Sequence, residues 1–149
     1  MPVETERKFL VVGEFRHQSV SKIEIIQAYL SIDPVRIIRI RIADNKGFLA
    51  IKSPKRGTSF SRNEIELPVS LKEADEIMKL ALPGRIYKTR YIVPCGKHLF
   101  EIDVFHDKNE GLVLAEIELE REEEEFEKPD WLGEEVTGKP EYFNSNLIK

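Results

Sequence analysis

The sequence is poor in cysteine, in long apolar runs and in basic excess, and each shortage narrows the class of protein. Cys95 is the single cysteine among 149 residues, so no internal disulfide can form, which suits a reducing compartment. No apolar run approaches the roughly 20 residues of a membrane span, and the N-terminus lacks a signal-peptide pattern. The formal net charge of −4 argues against a nucleic-acid coat or a membrane-surface protein. We therefore expect a cytoplasmic protein with a single domain over residues 1–149 and without nucleic-acid or membrane partners.

What the chain does contain is charge, at 34% of residues, and the N-terminal stretch Glu4-Thr5-Glu6-Arg7-Lys8 places it at alternate positions. In a β-strand Glu4, Glu6 and Lys8 would share one face, roughly 7 Å apart in succession. Glu4 and Lys8 also have the i,i+4 spacing of an ion pair on a surface helix. The stretch alone does not decide between strand and helix, but alternation elsewhere in the chain favours the strand.

Alternation of polar and apolar residues predicts seven further strands, at 25–30, 35–42, 48–53, 61–69, 85–93, 99–105 and 112–120. The pattern is cleanest in 35–42, where three isoleucines share one face while Arg39 and Arg41 share the other. In 25–30, Gln27 and Tyr29 lie on the same face. The β-branched residues of these segments also disfavour a helix.

Between these segments lie one helix pattern and several turn patterns. Residues 71–82 have apolar residues at helical spacing, with Ser70 and Glu73 placed to form a capping box. The sequence 44–47 has hairpin-turn chemistry, and we expect Gly47 to take the positive φ. Residues 54–61 are expected to form a basic, mobile loop, and residues 121–149 loops and short helices.

The polar faces of the predicted strands are nearly all ionisable, whereas an ordinary solvated face also accepts Ser, Thr, Asn and Gln. They are also segregated by sign: basic at Arg39, Arg41, Lys52, Lys88 and Arg90, acidic at Glu4, Glu6, Glu101, Asp103, Glu116 and Glu118, and mixed at Lys8, Arg62, Glu64 and Glu66. A solvated surface explains any one pair, but the whole set favours a shared interior.

About eight strands and few helices predict an α+β, mainly β fold, and closing the sheet into a barrel would remove its edges. If the charged faces point inward, the barrel encloses a polar tunnel. Acidic clusters attract hard divalent cations with oxygen ligands, and basic clusters attract a polyanion. A polyphosphate with Mg²⁺ or Mn²⁺ satisfies both.

The same residues resemble the CYTH domain family, the triphosphate tunnel metalloenzymes. The likeness begins with Glu4-x-Glu6-x-Lys8 and continues in order through the motifs Gln27-Ala28-Tyr29-Leu30, Arg39-Ile40-Arg41, Lys52, Arg62-x-Glu64-x-Glu66, Lys88-x-Arg90, Glu101-x-Asp103, Glu116-x-Glu118, Glu135-Val136-Thr137-Gly138, Tyr142 and Asn144-Ser145-Asn146-Leu147. It covers essentially the whole chain, and it implies a closed eight-stranded antiparallel β-barrel that binds a triphosphate and a divalent metal, Mg²⁺ or Mn²⁺.

The resemblance also implies a role for each charged residue. Glu4, Glu6, Glu116 and Glu118 look like the principal metal ligands, and Glu101 and Asp103 like a second metal site. The implied phosphate-binding set is Lys8, Arg39, Arg41, Lys52, Lys88 and Arg90, with Arg62 as an addition. If the first two strands are neighbours, Lys8 and Tyr29 could form a catalytic acid/base pair. Phosphate binding by Lys8 and packing by Tyr29 are the simpler alternative.

Phosphoryl transfer needs positioning and charge neutralisation more than a covalent nucleophile. The first hypothesis is therefore hydrolysis of inorganic tripolyphosphate by a metal-activated water, since no extra domain or nucleoside-binding feature is recognisable. Thiamine or nucleoside triphosphate hydrolysis, a class IV adenylate cyclase and a binding protein that only sequesters polyphosphate are the alternatives. The substrate expected in each case contains a chain of phosphates. The sequence leaves the oligomeric state open, with a homodimer as one option.

Other residues with reactive or aromatic side chains show weaker patterns. His17, His98 and His106 lack metal-ligand spacing, and the acidic run 122–125 is expected to be solvated. Trp131 is expected to pack, with contact to an organic substrate as the alternative. Cys95 lies in a predicted turn with no base partner.

Overall fold

The structure is a computed structural model that describes residues 3–54 and 61–148. Those ranges contain nine β-strands and one α-helix, besides four short 3₁₀ helices. The strands are β1 (Val3–Val11), β2 (Ser21–Asp33), β3 (Arg36–Ala43), β4 (Lys46–Pro54), β5 (Ser61–Val69), β6 (Ile86–Cys95), β7 (His98–Phe105), β8 (Val113–Leu119) and β9 (Leu132–Glu135), and the helix is α1 (Leu71–Lys79). The loop predicted at 54–61 lies outside the described residues except for its two ends, which belong to β4 and β5. No helix in the described ranges is long and apolar enough to cross a membrane.

Eight of the strands in the described ranges form a closed antiparallel barrel. The order around it is β5, β4, β3, β2, β6, β7, β8 and β1, and pairing of β1 with β5 closes the circle. This confirms the predicted closed eight-stranded antiparallel β-barrel. The short strand β9 was not predicted, because its four residues do not alternate clearly. It pairs with the end of β1, where Phe9 lies opposite Glu135 and Val11 opposite Leu132.

The apolar faces of the strands point outward and are covered by other parts of the chain. Ala28 of β2 and Ile40 of β3 pack with Ala74 and Met78 of α1, and all four are buried. On the other side of the barrel, Trp131 packs into a buried cluster of aromatic and aliphatic strand residues, namely Phe9, Val93, Phe100, Ile102, Ala115, Ile117 and Leu119 together with Phe15. Because these faces are covered from outside, the alternate, charged positions face the barrel interior.

One end of the barrel interior is filled by the last part of the chain, residues 136–148, which we call the C-terminal plug. Val136 and Ile148 pack against inward-facing apolar residues, namely Tyr29, Ile37, Ile86, Phe105 and Leu114. Two short 3₁₀ helices, Pro140–Tyr142 and Asn144–Asn146, shape the plug, in agreement with the short helices expected there. The charged interior is therefore closed at this end.

Helix α1 begins as predicted and ends earlier. The Ser70 hydroxyl accepts from the Glu73 N–H at 3.0 Å, and the Glu73 carboxylate accepts from the Ser70 N–H at 2.9 Å, which forms the capping box. The predicted end at residue 82 is wrong: the helix ends at Lys79. The next N–H groups form tighter bonds three residues back, and Leu82 N–H donates to the carbonyl of Tyr29 in β2.

The β3–β4 hairpin differs from the prediction in which residues take positive φ. Asp44 and Asn45 take φ of 51° and 63°, as the two central residues of a type I′ turn do. Gly47 does not have positive φ and lies in β4. Its lack of a side chain instead serves packing, since a Cβ there would come within 2.8 Å of Ala74 Cβ in α1.

Candidate active site

The inward faces of the strands line a cavity of about 330 Å³. Every site residue predicted from the sequence lines it, except Asp103. Residues that were not assigned a role also line it: Glu64 and Glu66 of β5, and Thr137, Gly138, Phe143, Asn144 and Ser145 of the C-terminal plug. Glu64 and Glu66 followed the alternation of charge, but the plug residues carry no strand pattern, so only the fold brings them to the site.

Acidic and basic residues occupy opposite halves of the cavity wall. Four adjacent strands, β7, β8, β1 and β5, carry an acidic arc made of Glu101, Glu116, Glu118, Glu4, Glu6, Glu64 and Glu66. The other four strands are β4, β3, β2 and β6, and three of them, β4, β3 and β6, carry a basic arc made of Lys52, Arg39, Arg41, Lys88 and Arg90. Two cations, Lys8 and Arg62, lie on strands of the acidic arc.

Ion pairs form where the two arcs meet. At the β4–β5 boundary, Lys52 Nζ lies 3.3 Å from Glu4 Oε1 and 3.6 Å from Glu64 Oε1. At the β6–β7 boundary, Arg90 lies 3.3 Å from Glu101 and 2.8 Å from Asp103. Charge is therefore compensated at the two boundaries, and like charges gather in the middle of each arc.

In the middle of the acidic arc the carboxylates lack sufficient positive charge. Burial raises the pKa of Glu6, with Lys52 opposing the shift and Glu4 adding to it. Burial also raises the pKa of Glu116, next to Glu6, and the pKa of Glu118, where Glu4 contributes further. Lys8 gives partial relief, because its Nζ lies 3.8 Å from Glu116 Oε1. The arrangement favours a bound cation.

The basic arc has an excess of buried positive charge. Burial, with the positive charges of Arg39 and Arg90, lowers the pKa of Arg41 to about 10. Burial lowers the pKa of Lys88 to about 7, although Asp103 opposes the shift. The side chain of Arg39 is buried, and its Nε–H is the one buried side-chain donor in the described ranges that lacks a hydrogen-bond partner. An anion in the cavity would supply both negative charge and acceptors.

Asp103 differs from the other predicted metal ligands in its surroundings. It is buried on the same face of β7 as Glu101, where Lys88 Nζ donates to Oδ2 at 2.7 Å and Arg90 donates to both oxygens at 2.8 and 3.0 Å. Burial favours the neutral acid, but Arg90 and Lys88 hold its pKa well below the usual range. Both oxygens already serve two cations, which argues against the metal-ligand role expected for Asp103. It orients the basic arc instead.

The catalytic pair suggested for Lys8 and Tyr29 rested on β1 and β2 being neighbours, and they are not. β1 pairs with β5, β8 and β9, whereas β2 pairs with β3 and β6. Lys8 Nζ donates to the carbonyl of Tyr142 at 3.0 Å, while the Tyr29 hydroxyl accepts from Gln27 at 3.1 Å. Both residues line the cavity, and no hydrogen bond between them is found in the described structure.

The residues judged less promising lie away from the cavity. Trp131 is buried in the outer cluster and donates to Gln18, which agrees with packing. Burial and the Glu127 carboxylate raise the pKa of the Cys95 thiol, which lowers its thiolate fraction. His98 pairs with Glu124, which ties part of the acidic run 122–125 to β7.

The chemistry of the acidic arc suits a divalent metal ion. All of its donors are carboxylate oxygens, the ligands preferred by Mg²⁺ and other hard cations. As the side chains stand, no group of three His, Cys, Asp or Glu in residues 3–54 and 61–148 is close enough to hold a metal ion. The buried negative charge of Glu6, Glu116 and Glu118 nevertheless fits a cation, because a cation would offset the burial and the mutual repulsion that raise their pKa values.

A closed barrel with acids facing bases across one cavity defines a protein that binds a ligand carrying charge of both signs. In a comparison with known protein families, the family model of the CYTH domain matches residues 2–147 of the chain. The chain belongs to the CYTH domain family.

Two curated relatives match over almost their whole length. An inorganic triphosphatase from Acetivibrio thermocellus is 41% identical over 150 residues, covering 100% of this chain and 95% of the relative. An inorganic triphosphatase from Nitrosomonas europaea is 34% identical over 149 residues, covering 97% and 95%. A crystal structure described as an inorganic triphosphatase superposes with a TM-score of 0.69 at 30% identity, covering 97% of both chains.

Proposed function

We propose that this protein hydrolyses inorganic tripolyphosphate with the help of a divalent metal ion. The observation that carries the proposal is the pair of facing arcs, each of which lacks the charge that a metal polyphosphate would bring. The two relatives named inorganic triphosphatase support it, because they resemble the chain from end to end.

The basic arc binds the phosphates in this proposal. Arg39 and Arg41 present guanidinium groups that can hold phosphate oxygens with two parallel hydrogen bonds. The Nε–H of Arg39 lacks a partner within the described residues, but the atom is fully buried, and the terminal guanidinium group contacts Glu66 at 3.3 Å. Lys52, Lys88, Arg90 and Arg62 supply further positive charge around the same cavity. Because its cations lie on β3, β4 and β6, the arc can contact several phosphates of a linear chain at once.

The acidic arc holds the metal. Glu4, Glu6, Glu116 and Glu118 would be the principal ligands, and Glu101 lies nearby on β7. A divalent cation, Mg²⁺ or Mn²⁺, would neutralise phosphate oxygens and lower the pKa of a water molecule that it holds. Asp103 contributes indirectly, since it fixes Lys88 and Arg90 against the phosphates.

Hydrolysis adds water across a phosphoanhydride bond. The water oxygen bonds to one phosphorus, the bridging oxygen leaves with the remaining phosphate chain, and a proton goes to solvent. The residues of the chain hold the phosphates in line and offset the charge that develops on the leaving oxygen. Lys8 suits the second task, because its ammonium group lies between the acidic arc and the C-terminal plug and has three N–H donors.

The test is a substrate panel of tripolyphosphate, ATP and thiamine triphosphate, each with Mg²⁺, Mn²⁺ or EDTA, with the products separated by ion chromatography. We expect metal-dependent phosphate release, fastest from tripolyphosphate. Cyclic AMP and pyrophosphate from ATP would instead establish a cyclase. Tight binding of tripolyphosphate without hydrolysis in any metal would establish a binding protein.

A further inference from the structure

The C-terminal plug contributes one polar side chain to the cavity whose orientation is fixed by its neighbours. Asn144 lies in the 3₁₀ helix Asn144–Asn146 and lines the cavity. Its Oδ1 accepts from Lys88 Nζ at 2.7 Å and from Gln27 Nε2 at 3.0 Å. It therefore touches β6 of the basic arc and the neighbouring strand β2, far from its own position in sequence.

The direction of these hydrogen bonds follows from the Arg41 guanidinium group, which can donate but cannot accept. An arginine Nε–H can only donate, so the Gln27 atom that lies 2.9 Å from Arg41 Nε is the amide oxygen. The Gln27 nitrogen then points to Asn144 and donates. The donating Gln27 nitrogen requires the Asn144 oxygen to face it, and Lys88 Nζ donates to the same oxygen at 2.7 Å.

The Asn144 amide nitrogen, Nδ2, is therefore a donor that neither Lys88 nor Gln27 uses. With Oδ1 turned toward Lys88 and Gln27, the two N–H donors of Nδ2 face away from both. No acceptor for Nδ2 is found in residues 3–54 and 61–148, the atom is not fully buried, and Asn144 lines the cavity. A neutral donor next to Lys88, at the closed end of a cavity built for an anion, suits a phosphate oxygen.

We propose that Asn144 is a further substrate-binding residue, whose Nδ2 donates to the phosphate at the closed end while its Oδ1 positions Lys88 and, through Gln27, Arg41. The inference rests on the proposed function, because it takes a polyphosphate as the ligand. The plug is thereby part of the binding site and does more than fill the end of the barrel.

The experiment compares Asn144→Ala, Asn144→Asp and the control Asn146→Ala. Asn146 is in the same 3₁₀ helix, but its amide donates to the Pro140 carbonyl at 2.9 Å outside the cavity. Initial rates with tripolyphosphate and Mg²⁺ give kcat and KM. The rise in melting temperature on adding tripolyphosphate in EDTA reports binding without turnover.

For Asn144→Ala we expect KM to rise about tenfold with a smaller change in kcat, since one donor to a charged group and the support of Lys88 are lost. For Asn144→Asp we expect KM to rise about a hundredfold, because the carboxylate keeps the acceptor but replaces the donor with negative charge. The ligand-induced rise in melting temperature should shrink in the same order. Asn146→Ala should stay within about twofold in KM.

The Asn144→Asp variant distinguishes a substrate-binding role of Asn144 from a purely structural role. A purely structural Asn144 would be replaced well by aspartate, which also accepts from Lys88 and Gln27. Unchanged KM and unchanged ligand-induced stabilisation in Asn144→Asp would overturn the inference while leaving the proposed function intact. If the unsubstituted protein neither binds nor hydrolyses tripolyphosphate, the proposed function fails and the inference fails with it.

Discussion

The acidic and basic arcs line one cavity, but they differ in how far the protein itself compensates their buried charge. In the described residues Glu6 and Glu118 form no ion pair and Glu116 has only Lys8 at 3.8 Å, so burial and mutual repulsion raise the pKa values of these three carboxyl groups. The basic arc has hydrogen-bond partners within the protein: Asp103 accepts from Lys88 and Arg90, and Gln27 accepts from Arg41. The acidic arc is thus arranged for a ligand that brings its own charge, and the basic arc is preorganised by the protein.

This difference implies that substitutions in the two arcs have different consequences. Removing a carboxylate from the acidic arc relieves repulsion, so function suffers while stability does not. Removing the support of the basic arc leaves buried positive charge unpaired, so stability suffers first.

The largest effect is expected in the acidic arc. Glu116→Gln should lower kcat for tripolyphosphate at least about a thousandfold, because several kcal/mol of metal-dependent charge stabilisation is lost. Steady-state kinetics with saturating Mg²⁺ measures it. Glu110→Gln, an exposed neighbour outside the cavity, is the control and should be unaffected. Normal turnover in Glu116→Gln would remove Glu116 from the ligand set.

The second effect concerns the support of the basic arc. Asp103→Asn should destabilise the fold by about 3–5 kcal/mol, because Lys88 and Arg90 lose the charge that compensates them in a buried site. Denaturant unfolding in EDTA measures the change. The exposed pair Arg121–Glu123 is the control, and Arg121→Ala should leave the unfolding curve almost unchanged. A stable Asp103→Asn protein with weakened metal binding would instead restore the metal-ligand role.

A third prediction uses pH to compare the arcs. The raised pKa values of Glu4, Glu6 and Glu116 mean that their contribution to stability is complete below the unfolded pKa and is lost as pH rises through the folded pKa. A divalent cation should therefore raise the melting temperature more at pH 8 than at pH 5. Thermal unfolding with Mg²⁺ or EDTA at both pH values checks this.

Glu116→Gln sharpens the same prediction. Because one of the repelling carboxylates is gone, its melting temperature in EDTA at pH 8 should equal or exceed that of the unsubstituted protein, and Mg²⁺ should stabilise it less. A cation effect that is the same at pH 5 and pH 8 would contradict the idea that the acidic arc lacks positive charge.

The smallest effect is expected at Tyr29, whose strand β2 lies between β3 and β6. Its hydroxyl accepts a single hydrogen bond, from Gln27, so Tyr29→Phe should change kcat by no more than about threefold. Tyr87→Phe, on an exposed tyrosine, is the matched control. A large fall in kcat with a shifted pH–rate profile would return Tyr29 to the catalytic role suggested from sequence.

Much of the barrel was predictable because its strands alternate strictly. In a strand, Ile40 points to one side of the sheet while Arg39 and Arg41 point to the other. Because the isoleucine side is covered from outside, the two arginines face the barrel interior. The same logic found Glu64 and Glu66 on the cavity face, although not their role. The errors fall where alternation says nothing: β9 is too short, α1 ends early because Leu82 bonds to β2, and Gly47 is needed for contact with Ala74.

The sequence by itself determined which side chains face together and what sign of charge each strand carries, because side-chain direction in a strand depends only on position along it. Only the tertiary structure decided which strands are neighbours, since pairing and closure join residues far apart in the chain. It separated β1 from β2, placed Asp103 in contact with Lys88, and brought Asn144 from the C-terminal plug into the cavity.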